Sequence, residues 1–268
     1  MKPFMHSLIL SFILIISTTT TLFANELNQK IEEIFSKADT NATFVFYDMQ
    51  KEKLVIHNQA RAQKRYTPAS TFKIANSLIG LETKTVKSVD EPLPYIGPEN
   101  PFIASWKEDM GLRKAITISN VPIYQELARR IGFERMKHYL KSFEYGNADT
   151  GEIIDRFWLD GPLEISTLEQ VEFLKKLVKE ELPVSKEAQK DVRQILLLES
   201  ADDYKLYGKT GWQNAPGNGI GWFVGWIENS HGSYVFALNM DMTGANDAPK
   251  RISLTKDCLF ALGLLKDL

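Results

Sequence analysis

A chain of 268 residues with 44% hydrophobic and 25% charged side chains has the composition of a folded globular protein, which excludes a disordered or low-complexity role. The formal net charge of −2 leaves no basic excess to hold nucleic acid or an anionic membrane surface. Cys258 is the only cysteine, so an internal disulfide is excluded and stability must come from a buried core.

The first 24 residues stand apart. Lys2 gives a positive start, Leu8 to Ile16 is apolar apart from Ser11, and Thr18–Thr21 leads to Leu22-Phe23-Ala24. This is the layout of a secretory signal peptide, with cleavage after Ala24. The apolar stretch is about half the roughly 20 residues a membrane span needs, so no stable membrane anchor is expected. Residues 25–268 are expected to form one domain, periplasmic or secreted after cleavage.

Residues 43–49 and 53–57 are β-branched and aromatic and are split by Gln50-Lys51-Glu52, which predicts a hairpin. Pro68 opens a predicted helix to about Glu82, because proline at a first helical position gives up an N–H that would have had no partner. Apolar residues surround that helix on nearly every side, as in a buried helix. Residues 84–105 are rich in Pro and Gly and read as loop. From about 107 to 199 the pattern is mainly helical, with helices expected over 122–131 and 133–143. Ser166-Thr-Leu-Glu169 is a capping box opening a helix to about Lys179, and Ser185 caps another to about Glu199. Strands return at 204–207, 220–228 and 233–242, the last two joined by Asn229-Ser-His-Gly232. A final helix covers about 249–265, with Ile252, Leu259, Leu262 and Leu265 on one side. Strands at both ends and helices between predict an α+β fold, one antiparallel sheet flanked by helices with an inserted helical lobe.

Several chemistries are absent from the sequence. No His pairs with another His or Cys at metal-ligand spacing, so no metal site is expected. G-x-S-x-G does not occur. Tyr207–Trp212 has a P-loop flavour, but the position five before Gly208 is Asp203.

Ser70 and Lys73, three apart on a helix, share a face. Ser70 lies in the first turn, where free N–H groups favour developing negative charge. A lysine can serve a serine nucleophile as base only when neutral, and an apolar setting lowers its pKa. Spacing alone is weak, since Ser253-Leu-Thr-Lys256 repeats it on what reads as a solvated face. Lys209-Thr210-Gly211 adds a cation beside a small hydroxyl residue and a glycine, a combination suited to docking an anionic substrate. Ser119-Asn-Val121 precedes a helix, where Ser119 could also be a plain N-cap.

Taken together, Ser70-Thr-Phe-Lys73, Ser119-Asn-Val121, Tyr145-Gly-Asn147 and Lys209-Thr-Gly211 resemble, in order and spacing, the motifs of the class D β-lactamases, the oxacillinase group. The stretches PASTFKIANSLIGLE, VPIYQELARRIG, FWLDGPLEIS and IGWFVGWIE are similar to that group as well, so the resemblance covers about residues 40–265. It implies the fold of the serine β-lactamases and penicillin-binding proteins, a small-molecule β-lactam substrate acylating Ser70, and Lys73 carrying CO2 as N6-carboxylysine, with no other cofactor. It further implies that the Trp158 indole supports the carbamate, that Ser119 relays a proton, and that Val121 and Leu163 wall the carbamate off. Lys209, Thr210 and Arg251, with Lys250 adjacent, would hold the substrate carboxylate, and the backbone N–H groups of Ser70 and Trp212 would form the oxyanion hole. Tyr145 and Asn147 would brace the site, and Trp222 and Trp226 would pack. The stretch 212–219 would tune which β-lactams fit. Members of the group occur as monomers and as homodimers. A penicillin-binding peptidase, which usually lacks a counterpart of Trp158, and a β-lactam sensor domain, which stays acylated, are the alternatives.

Overall fold

In β7 (Gly219–Asn229), Trp222, Val224 and Trp226 enter one core cluster while Phe223 and Ile227 enter another. That alternation is the two-residue period of a strand buried on both faces, and it organises the protein. The computed structural model describes residues 28–214 and 219–265; the expected signal peptide, residues 1–24, lies outside them.

A helix covers residues 28–37 (α1). The predicted hairpin follows as β1 (Ala42–Asp48) and β2 (Lys53–His57), with Phe46 opposite Val55. A short helix α2 (Gln59–Gln63) and a two-residue strand β3 (Arg65–Tyr66) lead to the Ser70 segment and helix α3 (Lys73–Glu82). The lobe comprises α4 (Leu112–Thr117), α5 (Val121–Ile131) and α6 (Phe133–Ser142). Strand β4 (Ile165–Ser166), paired with β3, returns the chain to α7 (Thr167–Val178), whose capping box has both reciprocal bonds formed, and to α8 (Lys186–Ile195). Strands β5 (Leu197–Ser200), β6 (Tyr204–Gln213), β7 and β8 (Gly232–Met242) precede helix α9 (Lys250–Ala261).

The main sheet runs β2-β1-β8-β7-β6-β5, and every neighbouring pair is antiparallel. The N-terminal hairpin therefore sits beside the last strand, the sheet built from both ends that the sequence predicts. One face carries α1 and α9 on Phe44, Phe46, Phe223, Phe236 and Leu238. The other carries α3 and the helical lobe on Val45, Trp222, Val224, Val235 and Ala237.

Three local expectations change. The helix expected to reach about Glu199 ends at Ile195, and Leu197–Ser200 pairs with β6 as an edge strand. An apolar run such as Leu196-Leu197-Leu198 fits either state, and strand pairing decides. The strand expected over 204–207 continues to Gln213, so Lys209-Thr210-Gly211 stands on a strand and not in a loop. The final helix, expected to about 265, ends at Ala261: Leu259 packs inward, Leu262 and Leu265 lie beyond the helix against the same core, and Ile252 is exposed, with Leu254 and Cys258 completing the inner face.

Candidate active site

The Ser70 segment is not the regular α-helical first turn the sequence predicts. Ala69–Phe72 is a 3-10 turn that passes into α3 at Lys73. In 3-10 geometry residues i and i+3 eclipse, which stacks Lys73 over Ser70: Lys73 Nζ donates to Ser70 Oγ at 2.9 Å. The turn is entered through Ala69, whose φ of 49° is left-handed and costs a non-glycine residue about 1–2 kcal/mol. Its amide is held by the Trp158 carbonyl at 3.0 Å. Strand β6 presses on the turn from the other side. A Cβ on Gly211 would sit 2.9 Å from the Pro68 carbonyl oxygen and 3.1 Å from Thr71 Cγ2, so this contact requires glycine.

Lys73 is 0% exposed. Burial holds its amine well below the usual lysine range, the nearby charge of Lys209 lowers it further, and no acid offsets either effect. Beneath it, Tyr124 lies with its ring 5.3 Å from Nζ and its hydroxyl 2.8 Å from Ser77 Oγ. Trp158 packs on Phe72 at 5.2 Å between ring centroids. Its indole Nε1 is buried and has no hydrogen-bond partner among the described residues, a costly state that points to a ligand atom.

Above Ser70 opens a cavity of about 290 Å3. One wall is Ser119 and Val121; the opposite one is Thr210, Trp212 and Arg251. Asn120, not Ser119, caps α5, accepting from the Ile123 amide at 3.1 Å. Ser119, at φ 56°, is thereby left facing the cavity, so the plain N-cap reading of Ser119 does not hold. Lys209 is 5% exposed, and its ammonium donates to the Thr210 carbonyl at 2.9 Å. Burial, followed by the charge of Arg251, brings its pKa down to about 7. Arg251 is fixed by two carbonyls: Nη1 donates to Gly211 O at 2.6 Å and Nε to Ala248 O at 2.9 Å. Lys250 instead pairs with Asp247 at 2.9 Å, and of the two it is Arg251 that lines the cavity.

One assignment is corrected. Leu163 is fully buried in the core, and the leucine lining the cavity is Leu159, beside Trp158. Tyr145 packs edge-on against Phe72, and Asn147 donates to the Pro162 carbonyl at 2.8 Å while accepting from the Glu164 amide at 3.0 Å. Tyr145 thus packs against the Ser70 turn, and Asn147 braces the loop that carries Trp158. Trp222 and Trp226 are core residues. The second S-x-x-K pair stays apart: Ser253 is exposed, and Lys256 pairs with Glu199 at 2.5 Å. Sequence reading misses the apolar rim of the cavity, Phe102, Ile103 and Trp106; the only signal was aromatic residues in a Pro/Gly-rich loop, and Phe102 is 77% exposed. A larger groove between α1 and α9, about 630 Å3, is lined by none of these residues.

Comparison with known proteins matches this architecture. The family model of the penicillin binding protein transpeptidase domain matches residues 21–259. A probable β-lactamase of Bacillus subtilis, YbxI, is 45% identical over 227 residues, 85% of this chain and 83% of that one. β-Lactamase OXA-10 of Pseudomonas aeruginosa is 36% identical over 260 residues, 95% and 97% of the two chains. The crystal structure of FUS-1 (OXA-85), a class D β-lactamase from Fusobacterium nucleatum subsp. polymorphum, superposes with a TM-score of 0.86 at 45% identity, covering 89% of this chain and 99% of that one. With a serine–lysine pair on a buried turn, a lysine and an arginine across a cavity, and these relatives over nearly its whole length, the chain belongs to the penicillin-binding transpeptidase family and, within it, to the class D β-lactamases.

Proposed function

We propose that this enzyme hydrolyses the amide bond of β-lactam antibiotics through a Ser70 acyl-enzyme, with carboxylated Lys73 as general base, and that it works outside the cytoplasm after removal of residues 1–24. The observation that carries the reading is the Lys73–Ser70 hydrogen bond of 2.9 Å at a lysine with no solvent exposure. Burial holds the pKa of this amine well below the usual lysine range, which favours the neutral form that can act as a base and as a nucleophile toward CO2. The unpartnered Trp158 indole N–H, on a residue bound to the same turn, fits a new anionic oxygen there. When carboxylated, Lys73 supplies a carboxylate able to take a proton from Ser70 and later from water.

The remaining chemistry belongs to the chain's own side chains. Ser70 Oγ attacks the lactam carbonyl, and the ring C–N bond breaks as the nitrogen gains a proton. Ser119, facing the cavity beside Ser70, is placed to pass that proton. The N–H groups of Ser70 and Trp212 receive the developing oxyanion. Lys209, Thr210 and Arg251 bind the carboxylate of the substrate; the guanidinium keeps its charge because burial lowers its pKa only to about 10. Water then releases the acyl group and restores Ser70, while Val121 and Leu159 limit access of bulk water to the lysine.

The test is turnover of a chromogenic β-lactam by purified protein with and without bicarbonate. Many turnovers, faster with bicarbonate, are expected. A single stoichiometric burst would defeat the hydrolase reading and point to a sensor.

A further inference from the structure

The turn that carries Ser70 is held from below by a buried amide that the reaction itself does not use. Gln170, on α7, is 0% exposed. Its Nε2 donates to Thr71 Oγ1 at 2.9 Å. The Thr71 hydroxyl spends its single proton on the Pro68 carbonyl at 2.8 Å, so its lone pair is what receives the amide. The same carbonyl accepts the Thr71 backbone amide at 3.2 Å, closing the 3-10 turn. A chain of three groups therefore runs from α7 through Thr71 to Pro68 and brackets Ser70.

The rest of Gln170 is poorly served. Its Oε1 is buried without a partner. Of the other inward residues of α7, Thr167 is polar, while Val171, Phe173, Leu174 and Leu177 are apolar core. An apolar side chain of similar length would fit this environment better, since a buried amide with half its bonding unmet is a burden on stability. The Tyr145 hydroxyl is buried beside the same Thr71 and Gln170 side chains, whose polar contacts with it only partly offset the burial that pushes its pKa up. Retaining an amide there makes sense if its N–H does work elsewhere. The turn needs such support, because Ala69 is held left-handed and Gly211 presses against Pro68 and Thr71. A strained backbone persists only where its surroundings over-determine it.

We infer that Gln170 is a positioning residue for Ser70: by fixing the Thr71 hydroxyl on the Pro68 carbonyl it sets where the nucleophile and its backbone N–H point. The inference rests on the β-lactamase reading and adds a residue to it. Its action is on acylation, the step in which Ser70 Oγ must meet the lactam carbonyl.

The test compares Gln170→Met, Thr71→Val, Thr71→Ser and the double variant Gln170→Met/Thr71→Val. Acylation rate constants are measured by stopped flow with a chromogenic β-lactam, alongside thermal melting. A small misplacement of a reacting group can cost on the order of 100-fold. The expected result is a roughly 10- to 100-fold slower acylation in Gln170→Met at an unchanged or raised Tm, a similar loss in Thr71→Val, and a double variant no slower than the worse single. Thr71→Ser, which keeps the hydroxyl, should acylate like the wild type. Acylation within about threefold of wild type in both Gln170→Met and Thr71→Val would overturn the inference, as would losses that multiply in the double variant. If Gln170→Met does not fold, the contrast between Thr71→Val and Thr71→Ser decides alone: equal rates overturn it. Absence of turnover in the wild type would defeat the β-lactamase reading instead, so the two failures are distinguishable.

Discussion

Trp158 is tied to Ala69 by its backbone and not by its ring: its carbonyl accepts the Ala69 amide at 3.0 Å, while its indole N–H is buried with no partner. One residue thus supports the strained entry to the Ser70 turn and, in the proposed mechanism, offers the donor to the Lys73 carbamate. The two roles separate in Trp158→Phe, which keeps the backbone bond and the packing on Phe72 but removes the N–H. Acylation should survive and deacylation should slow by roughly 10²-fold or more, in line with loss of one preorganised donor. Intact-protein mass spectrometry should then find a trapped β-lactam adduct; a variant holding no more adduct than wild type would remove the indole from the mechanism.

Lys209 is expected to make substrate capture sensitive to alkaline pH. Its pKa falls from 10.5 to about 7, chiefly through burial. Because the folded value is depressed, the folded protein binds this proton less readily than the unfolded chain does. The cost to stability is therefore full below about pH 7 and fades as pH rises toward 10.5. Substrate capture runs the opposite way, since the free enzyme loses a cation as pH rises through about 7. The alkaline limb of kcat/KM should move upward in Lys209→Arg, whose guanidinium stays charged. A limb left in place by that substitution would assign it to another group.

Gly211 is expected to tolerate no side chain. In Gly211→Ala the new Cβ would meet the Pro68 carbonyl and Thr71, pushing β6 away from the turn. Overpacking of this kind costs about 1–3 kcal/mol and should also slow acylation. Melting and stopped-flow measurements on the purified variant check both; a normal Tm with normal acylation would mean the contact is not tight.

The pair that shares the spacing of Ser70 and Lys73 serves as control. Ser253 and Lys256 sit on α9, with Lys256 paired to Glu199 near the surface. Alanine at either position should leave turnover unchanged and stability within about 0.5 kcal/mol. A loss of turnover there would place chemistry on the wrong face of the molecule.

Much of this arrangement is written in local sequence. The hairpin at 43–57, the Ser166–Glu169 capping box and the strands at 220–228 and 233–242 are short-range patterns, and they appear where those patterns put them. Ser70 and Lys73 are legible as a candidate pair because a charged residue in an apolar helix needs a reason. What sequence reading misses is tertiary. The left-handed Ala69 and the 3-10 turn are imposed by Trp158 and β6 from distant parts of the chain. The edge strand at Leu197–Ser200 exists because β6 offers it a partner. Leu159 and Leu163 are both apolar and flank a Gly-Pro, so only the loop's path decides that Leu159 lines the cavity.

The proposed base can be observed directly by 13C NMR of the protein equilibrated with 13C-bicarbonate. A single carbamate resonance is expected in the wild type, absent in Lys73→Ala and fading together with turnover as pH falls and the amine is protonated. A fully active enzyme with no carbamate resonance, or with one that persists in Lys73→Ala, would contradict the role given to Lys73.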